Sequence, residues 1–83
     1  MHQNYPNPFN PVTTITYSLP IKAHVNLVIY NALGESVTQL VNEEKEAGRY
    51  KVEFDATTLP SGIYFYRIQS GDFIQTKKMI LMK

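Results

Sequence analysis

The chain has no cysteine and no tryptophan among its 83 residues. Without cysteine there is no disulfide framework, no thiolate metal site and no thiol nucleophile. Charge is scarce too: 18% of the residues are charged, and eight basic against seven acidic side chains leave a net charge of +1. A solvated disordered tail needs more charge than this, and a nucleic-acid binder a larger basic excess, so neither is expected. No apolar run exceeds four residues, far short of the roughly 18–20 that cross a bilayer, so membrane insertion is not expected. Met1 is followed by His2-Gln3-Asn4, which lacks the basic-then-apolar order of a signal peptide. That leaves a cytoplasmic protein or part of a longer exported one. What is present is a globular composition, 43% apolar with six Tyr and four Phe. A chain of this size makes one domain that hides about 60–65% of its unfolded surface.

Residues 1–11 read as a lead-in, in which Pro6, Pro8 and Pro11 fix φ, remove amide donors and push the residues before them toward extended geometry. Residues 12–83 read as the folded domain. From Val12 to Leu19 polar and apolar residues alternate, the period of a half-buried strand, with Ile15, Tyr17 and Leu19 facing inward. A turn at Pro20–Ala23 leads to a second strand, His24–Asn31, with Val25, Leu27 and Ile29 on one face and Asn26, Val28 and Tyr30 on the other. Asn31-Ala-Leu-Gly34 is a turn signal, and a third strand is expected over Glu35–Val41. The acidic stretch Asn42–Gly48 is expected to be a loop or one irregular helical turn. Tyr50, Val52 and Phe54 alternate with Lys51 and Glu53 in a fourth strand. Ile63–Gln69 makes a fifth and Phe73–Met82 a sixth, joined by the tight reversal Ser70-Gly71-Asp72. Six strands with short turns and no 3.6-residue stripe predict an all-β fold. The expected form is an antiparallel Ig-like β-sandwich of about six to seven strands. Its core is expected to hold Ile15, Tyr17, Leu27, Ile29, Val52, Phe54, Tyr64 and Tyr66.

The Ig-like assignment rests on Leu59-Pro-Ser-Gly62-Ile-Tyr64, which has the layout of a tyrosine corner at the start of strand F. Tyr64 is expected to hydrogen-bond back to the preceding turn, and Tyr66 to take the inward place that a cysteine holds in antibody domains. Catalytic chemistry is poorly provided for. His2 and His24 have no partner implied by spacing, and Glu43, Glu44 and Glu46 lack the alternating ladder of a calcium loop. Asp55 and Asp72 meet only if their turns share one end of the sandwich. The glycines are isolated turn residues without a phosphate-cradling motif. No enzyme, cofactor or metal is expected. Lys77, Lys78 and Lys83 around an apolar terminal strand read either as protection of an exposed edge or as a basic end presented to a receptor. Partly exposed aromatics, Tyr5, Phe9, Tyr30, Phe65 and Phe73, are expected to pack locally, with Phe65 under a neighbouring loop.

Four stretches, in order, resemble a known family: Asn4-Tyr5-Pro6-Asn7-Pro8-Phe9-Asn10-Pro11, Val28–Val37, Leu59–Tyr64 and Thr76–Lys83. Together they resemble the type A C-terminal sorting domain of type IX secretion cargo, the Por secretion tail family. That family is related to the Ig-like domain of the flagellar hook-capping protein. The resemblance runs from about Gln3 to Lys83. It implies an address label behind an N-terminal cargo domain: exported to the periplasm, recognised by an outer-membrane translocon, and in many cases removed by a sortase-like surface protease. The destination implied is the cell surface or the medium. Translocon recognition is implied for Gly62, Tyr64, Lys77, Lys78, Met79, Ile80, Leu81, Met82 and Lys83, and separation from the cargo near the lead-in motif Asn4, Tyr5, Pro6, Asn7, Pro8 and Phe9. The family commonly has Asp and a basic residue where this chain has Asn31 and Glu35, which puts an ion contact there in question. A non-catalytic Ig-like structural, adhesion or carbohydrate-binding module is the alternative. A monomer without nucleic acid is expected in either case.

Overall fold

The computed structural model describes residues 11–82. The lead-in motif Asn4 to Phe9 and Lys83 lie outside the described residues. Six strands follow one another: β1 Val12–Leu19, β2 Ala23–Asn31, β3 Ser36–Lys45, β4 Gly48–Asp55, β5 Gly62–Ser70 and β6 Phe73–Leu81. They form two antiparallel sheets, a pair β1-β4 and a four-stranded sheet in the order β3-β2-β5-β6. Lettered as an immunoglobulin domain these are B-E and C′-C-F-G, the sandwich that the alternation and the Leu59–Tyr64 motif predict.

Alternation builds the core directly. Ile15, Tyr17 and Leu19 on β1 face Val25, Leu27 and Ile29 on β2 and Tyr64, Tyr66 and Ile68 on β5, all buried. Phe54 and Ala56 close one side, Met79 and Leu81 the other. Each such side chain contributes about 1.5–3 kcal/mol relative to exposure. Of the expected core, Val52 alone is only partly buried, packed against the cluster from β4. The tight reversal between β5 and β6 has Gly71 at φ +59°, a left-handed conformation that costs a side-chain-bearing residue free energy.

The acidic stretch departs from expectation. Asn42, Glu43, Glu44 and Lys45 continue β3 as a ladder against Asn26, Val25, His24 and Ala23. Two register shifts, between Leu27 and Val28 and between Ile29 and Tyr30, bend the strand on its way there. Charged residues are tolerated because β3 is a sheet margin, where their heads stay in water. Lys45 Nζ lies 2.7 Å from Glu43, and Lys22 Nζ lies 3.4 and 3.6 Å from Glu44 and Glu46. His24 Nε2 and Asn42 Oδ1 are 2.7 Å apart, and Gln39 donates to Asn26 at 2.7 Å. The Glu43–Lys45 contact lowers the carboxyl's pKa and raises the ammonium's, chiefly through their hydrogen bond.

Where β3 crosses to β4, Tyr17 stacks on Tyr50 with ring centroids 5.3 Å apart. Lys45 Nζ sits 5.2 Å from the Tyr50 ring centre, and the Tyr50 hydroxyl donates to the Glu46 carbonyl at 2.6 Å. The Tyr17 hydroxyl, by contrast, is buried without a hydrogen-bond partner. Burial pushes its pKa above the ordinary 10.0, with nearby Lys45 opposing.

Tyr17→Phe keeps the stacked ring and removes the orphan hydroxyl, so it is expected to raise stability by about 1–3 kcal/mol, seen as a higher urea midpoint at neutral pH. A phenol whose pKa is raised on folding contributes stability that is complete below its unfolded pKa and is lost as pH rises through the folded value. Wild type is therefore expected to lose stability faster than Tyr17→Phe above about pH 10. Parallel denaturation midpoints for the two proteins through that range would contradict the assignment.

Candidate functional site

The connection from Asp55 to Gly62 is organised from its own polar groups upward. Asp55 Oδ1 accepts from the Thr57 backbone amide at 2.9 Å and from the Thr57 hydroxyl. The Leu59 amide donates to the Ala56 carbonyl at 3.0 Å, turning the chain while Ala56 and Leu59 pack on the core. The Tyr64 hydroxyl then donates to the Pro60 carbonyl at 2.7 Å. This is the expected tyrosine corner, and Tyr66, two residues on, is fully buried in the predicted place. Gly62 has φ +153°, and a Cβ there would meet nothing within 4 Å. Backbone conformation, and not lack of space, is what calls for glycine.

The corner lies at the same end as two other features. Gly62 pairs with Leu81, so the last residues of β6 run beside the start of β5. The Ala56 amide donates to the Pro11 carbonyl at 2.9 Å, which ties the chain entering β1 to the same connection. The site residues expected from the sequence are thereby brought together as far as they are described: Gly62 and Tyr64 on β5 lie opposite Leu81 and Met79 on β6.

Among the described residues, β6 comes last in its sheet, with β5 beside it. Met79 and Leu81 anchor it in the core. Lys77 points inward where the roof of β1-β4 ends and is half-buried, while Lys78 and Ile80 point outward. Met82 just beyond is exposed.

The other candidates stay apart. Asp55 pairs with Val12 at the start of β1, whereas Asp72 shares a cleft with Leu19, Pro20, Ile21 and Phe73 at its far end. These carboxylates therefore sit at opposite ends, and no acid pair forms between them. That cleft, about 530 Å³, is walled mainly by apolar side chains. No group of three or more His, Asp or Glu side chains suited to a metal occurs among the described residues. At the β2–β3 turn Asn31 Oδ1 accepts from the Leu33 and Glu35 amides at 2.9 and 3.0 Å, and its Nδ2 donates to Glu35 Oε1 at 3.0 Å. The contact left in question at these two positions is present with donor and acceptor reversed, as an amide–carboxylate hydrogen bond.

One feature was missed. Phe65 does not lie under a loop but on the outer face of the four-stranded sheet, in register with Tyr30 on β2 and Lys78 on β6. The signal was in the sequence: Val28, Tyr30, Ile63 and Phe65 occupy the faces where a water-facing strand ordinarily carries polar residues.

Tyr64→Phe is expected to cost about 1 kcal/mol through the lost corner hydrogen bond. Tyr64→Ala is expected to cost about 3–5 kcal/mol through the cavity as well. Urea titrations check both, and a midpoint unchanged in Tyr64→Ala would rule out the corner as a structural tie.

No curated protein matches the chain. A family model, the secretion system C-terminal sorting domain, matches residues 3–82. With that match spanning nearly the whole sequence, over the sandwich and corner just described, the chain belongs to the family of type IX secretion C-terminal sorting domains.

Proposed function

We propose that this domain directs an attached N-terminal cargo protein through the type IX outer-membrane translocon to the cell surface or medium, and that the translocon reads the β6 margin together with the Gly62–Tyr64 corner. The observation that carries this reading is the match of residues 3–82 to the secretion system C-terminal sorting domain, over a nine-residue β6 held in register against β5 along its whole length. Burial of Met79 and Leu81 holds β6 in a defined place beside the corner. The opposite margin, β3, is bent by register shifts and fringed by Glu43, Glu44 and Lys45, the devices that deter pairing. The pairing of β6 with β5 has no register shift.

Residues 1–11 act as the lead-in that joins the cargo to the domain of residues 12–83. Cargo reaches the translocon from the periplasm, and a sortase-like surface protease separates it near Asn4–Phe9. The domain works by being bound, without a catalytic step or cofactor of its own. Its part in the geometry is to bring the lead-in side and the end of β6 to one end of the sandwich, supported by the Ala56–Pro11 and Gly62–Leu81 contacts.

The test attaches residues 3–83 to a fluorescent protein carrying a signal peptide, in a host with a working type IX system and in a translocon-deficient strain. Surface fluorescence is expected in the first and loss of it in the second. A version ending at Lys77 loses the buried Met79 and Leu81, so circular dichroism first establishes whether it folds, and the folded form is expected to stay in the periplasm. Retention of a folded, complete fusion in the competent host would overturn the proposal.

A further inference from the structure

At the end of the sandwich away from the corner, the roof stops at Leu19, the last residue of β1. The sheet beneath it runs on. Phe73 pairs with Ser70, and the alternation that buries Met79 and Leu81 puts its ring on the same inner face. Between roof and sheet lies the cleft of about 530 Å³, with Leu19, Pro20 and Ile21 on the β1–β2 side and Ser70, Asp72 and Phe73 on the β5–β6 side. Ile21 is 70% exposed and Phe73 52%. An aromatic residue on the inner face of a sheet ordinarily belongs to the core, and one left open to water beside a second exposed apolar side chain marks an interaction surface. Each lip of the cleft also carries one charge: Lys22 follows Ile21, and Asp72 precedes Phe73. Asp72 has no ion-pair partner among the described residues. Lys22 reaches Glu44 and Glu46 through exposed contacts at 3.4 and 3.6 Å, which hold it weakly.

We propose that this cleft is a self-association site, covered by the same cleft of a second copy of the chain about a two-fold axis. Such an axis sets the β1–β2 lip of each copy over the β5–β6 lip of the other. Ile21 then covers Phe73 of the second copy, and Lys22 meets its Asp72, with both contacts repeated when the copies are exchanged. Charge selects this occupant. The two lips are opposite in sign, so the axis pairs a cation with an anion at both places. An anionic lipid surface is the poorer fit, because Asp72, Glu44 and Glu46 lie at this end. Size sets the strength. The domain measures 22 × 17 Å across its two shorter axes, and an end contact of that width buries less than the roughly 1,200 Å² at which stable complexes begin. The dimer is therefore weak, with a Kd on the order of 0.1 mM. This end lies away from Gly62, Tyr64 and Leu81, so self-association is independent of the sorting function proposed above.

The test is sedimentation equilibrium of the purified 83-residue chain over concentrations from about 0.02 to 1 mM, where a monomer–dimer equilibrium is expected. Phe73→Ser and Ile21→Ser are each expected to weaken association about tenfold or more. Asp72→Lys and Lys22→Asp, each alone, set like charges against one another at both lips and are expected to weaken it by a similar factor. Mixed in equal amounts, those two proteins bring opposite signs together across the contact again, and association is expected to return. Urea midpoints confirm that each variant is folded. A wild type that stays monomeric to about 1 mM, association unchanged in Phe73→Ser, or a mixture of the two charge reversals that associates no better than either alone would overturn the proposal. So would a monomer that instead sediments with vesicles of phosphatidylethanolamine and phosphatidylglycerol and loses that binding in Phe73→Ser, since the cleft would then belong to lipid.

Discussion

Keeping the inner face of a four-stranded sheet dry with a roof that, among the described residues, has two strands is the constraint on which the rest of this molecule depends. Strands β1 and β4 cover β2 and β5 well: Ile15, Leu27, Ile29 and Tyr66 are all fully buried. They do not reach both margins, and each margin answers differently. On the β3 side the strand bends through two register shifts, and Val37 and Leu40 are only partly buried. Beyond them the strand turns polar, where burial is no longer required of it. On the β6 side Met79 and Leu81 reach under the roof, but Lys77 and Gln75 on the same face stay half-exposed.

The two ends of the sandwich differ as well. At one end the Tyr17–Tyr50 stack, braced by Lys45, closes the core where β3 crosses to β4. That closure leaves a buried phenol unpaired. At the other end the polar groups are satisfied locally: Asp55 holds Thr57, and the Tyr64 hydroxyl returns to the Pro60 carbonyl. The second end gathers the beginning of β1, the start of β5 and the close of β6. A corner that fixes β5 by a side-chain-to-backbone hydrogen bond also fixes β6, because β6 pairs with β5 along its whole length. In this sorting domain that end of the sandwich supplies β6 with a rigid support. The rigidity here comes from packing and from one well-placed hydroxyl.

Recognition surfaces on such a fold are of two kinds, a backbone edge and a side-chain face, and they select partners by different physics. An edge binds through main-chain hydrogen bonds that almost any extended segment can make. A face binds through side chains, so charge and shape discriminate. Strand β6 contributes Met79 and Leu81 to the core and turns Lys78 and Ile80 to the outer face of the sheet.

Much of this was legible in the residue order. Period-2 alternation alone placed Ile15, Tyr17, Leu27, Ile29, Phe54, Tyr64 and Tyr66 in the core, because side chains of a strand must point to opposite faces and only one face is dry. The Leu59–Tyr64 spacing located the corner, since a tyrosine two residues after a turn glycine has its hydroxyl within reach of that turn's backbone. The strand identity of Asn42–Lys45 was not legible, because a charged run has no apolar period and becomes a strand only when a neighbour such as β2 offers its ladder at a sheet margin. Nor could the order of residues say that β6 comes last in its sheet among the described residues, that Asp55 and Asp72 lie at opposite ends, or that Tyr30, Phe65 and Lys78 form one row. Sequence by itself determined which face of each strand is buried, a local property of alternation. Tertiary structure alone decided which strands are neighbours, and hence which side chains share a surface, because pairing joins residues far apart in the chain through backbone groups that every residue carries alike.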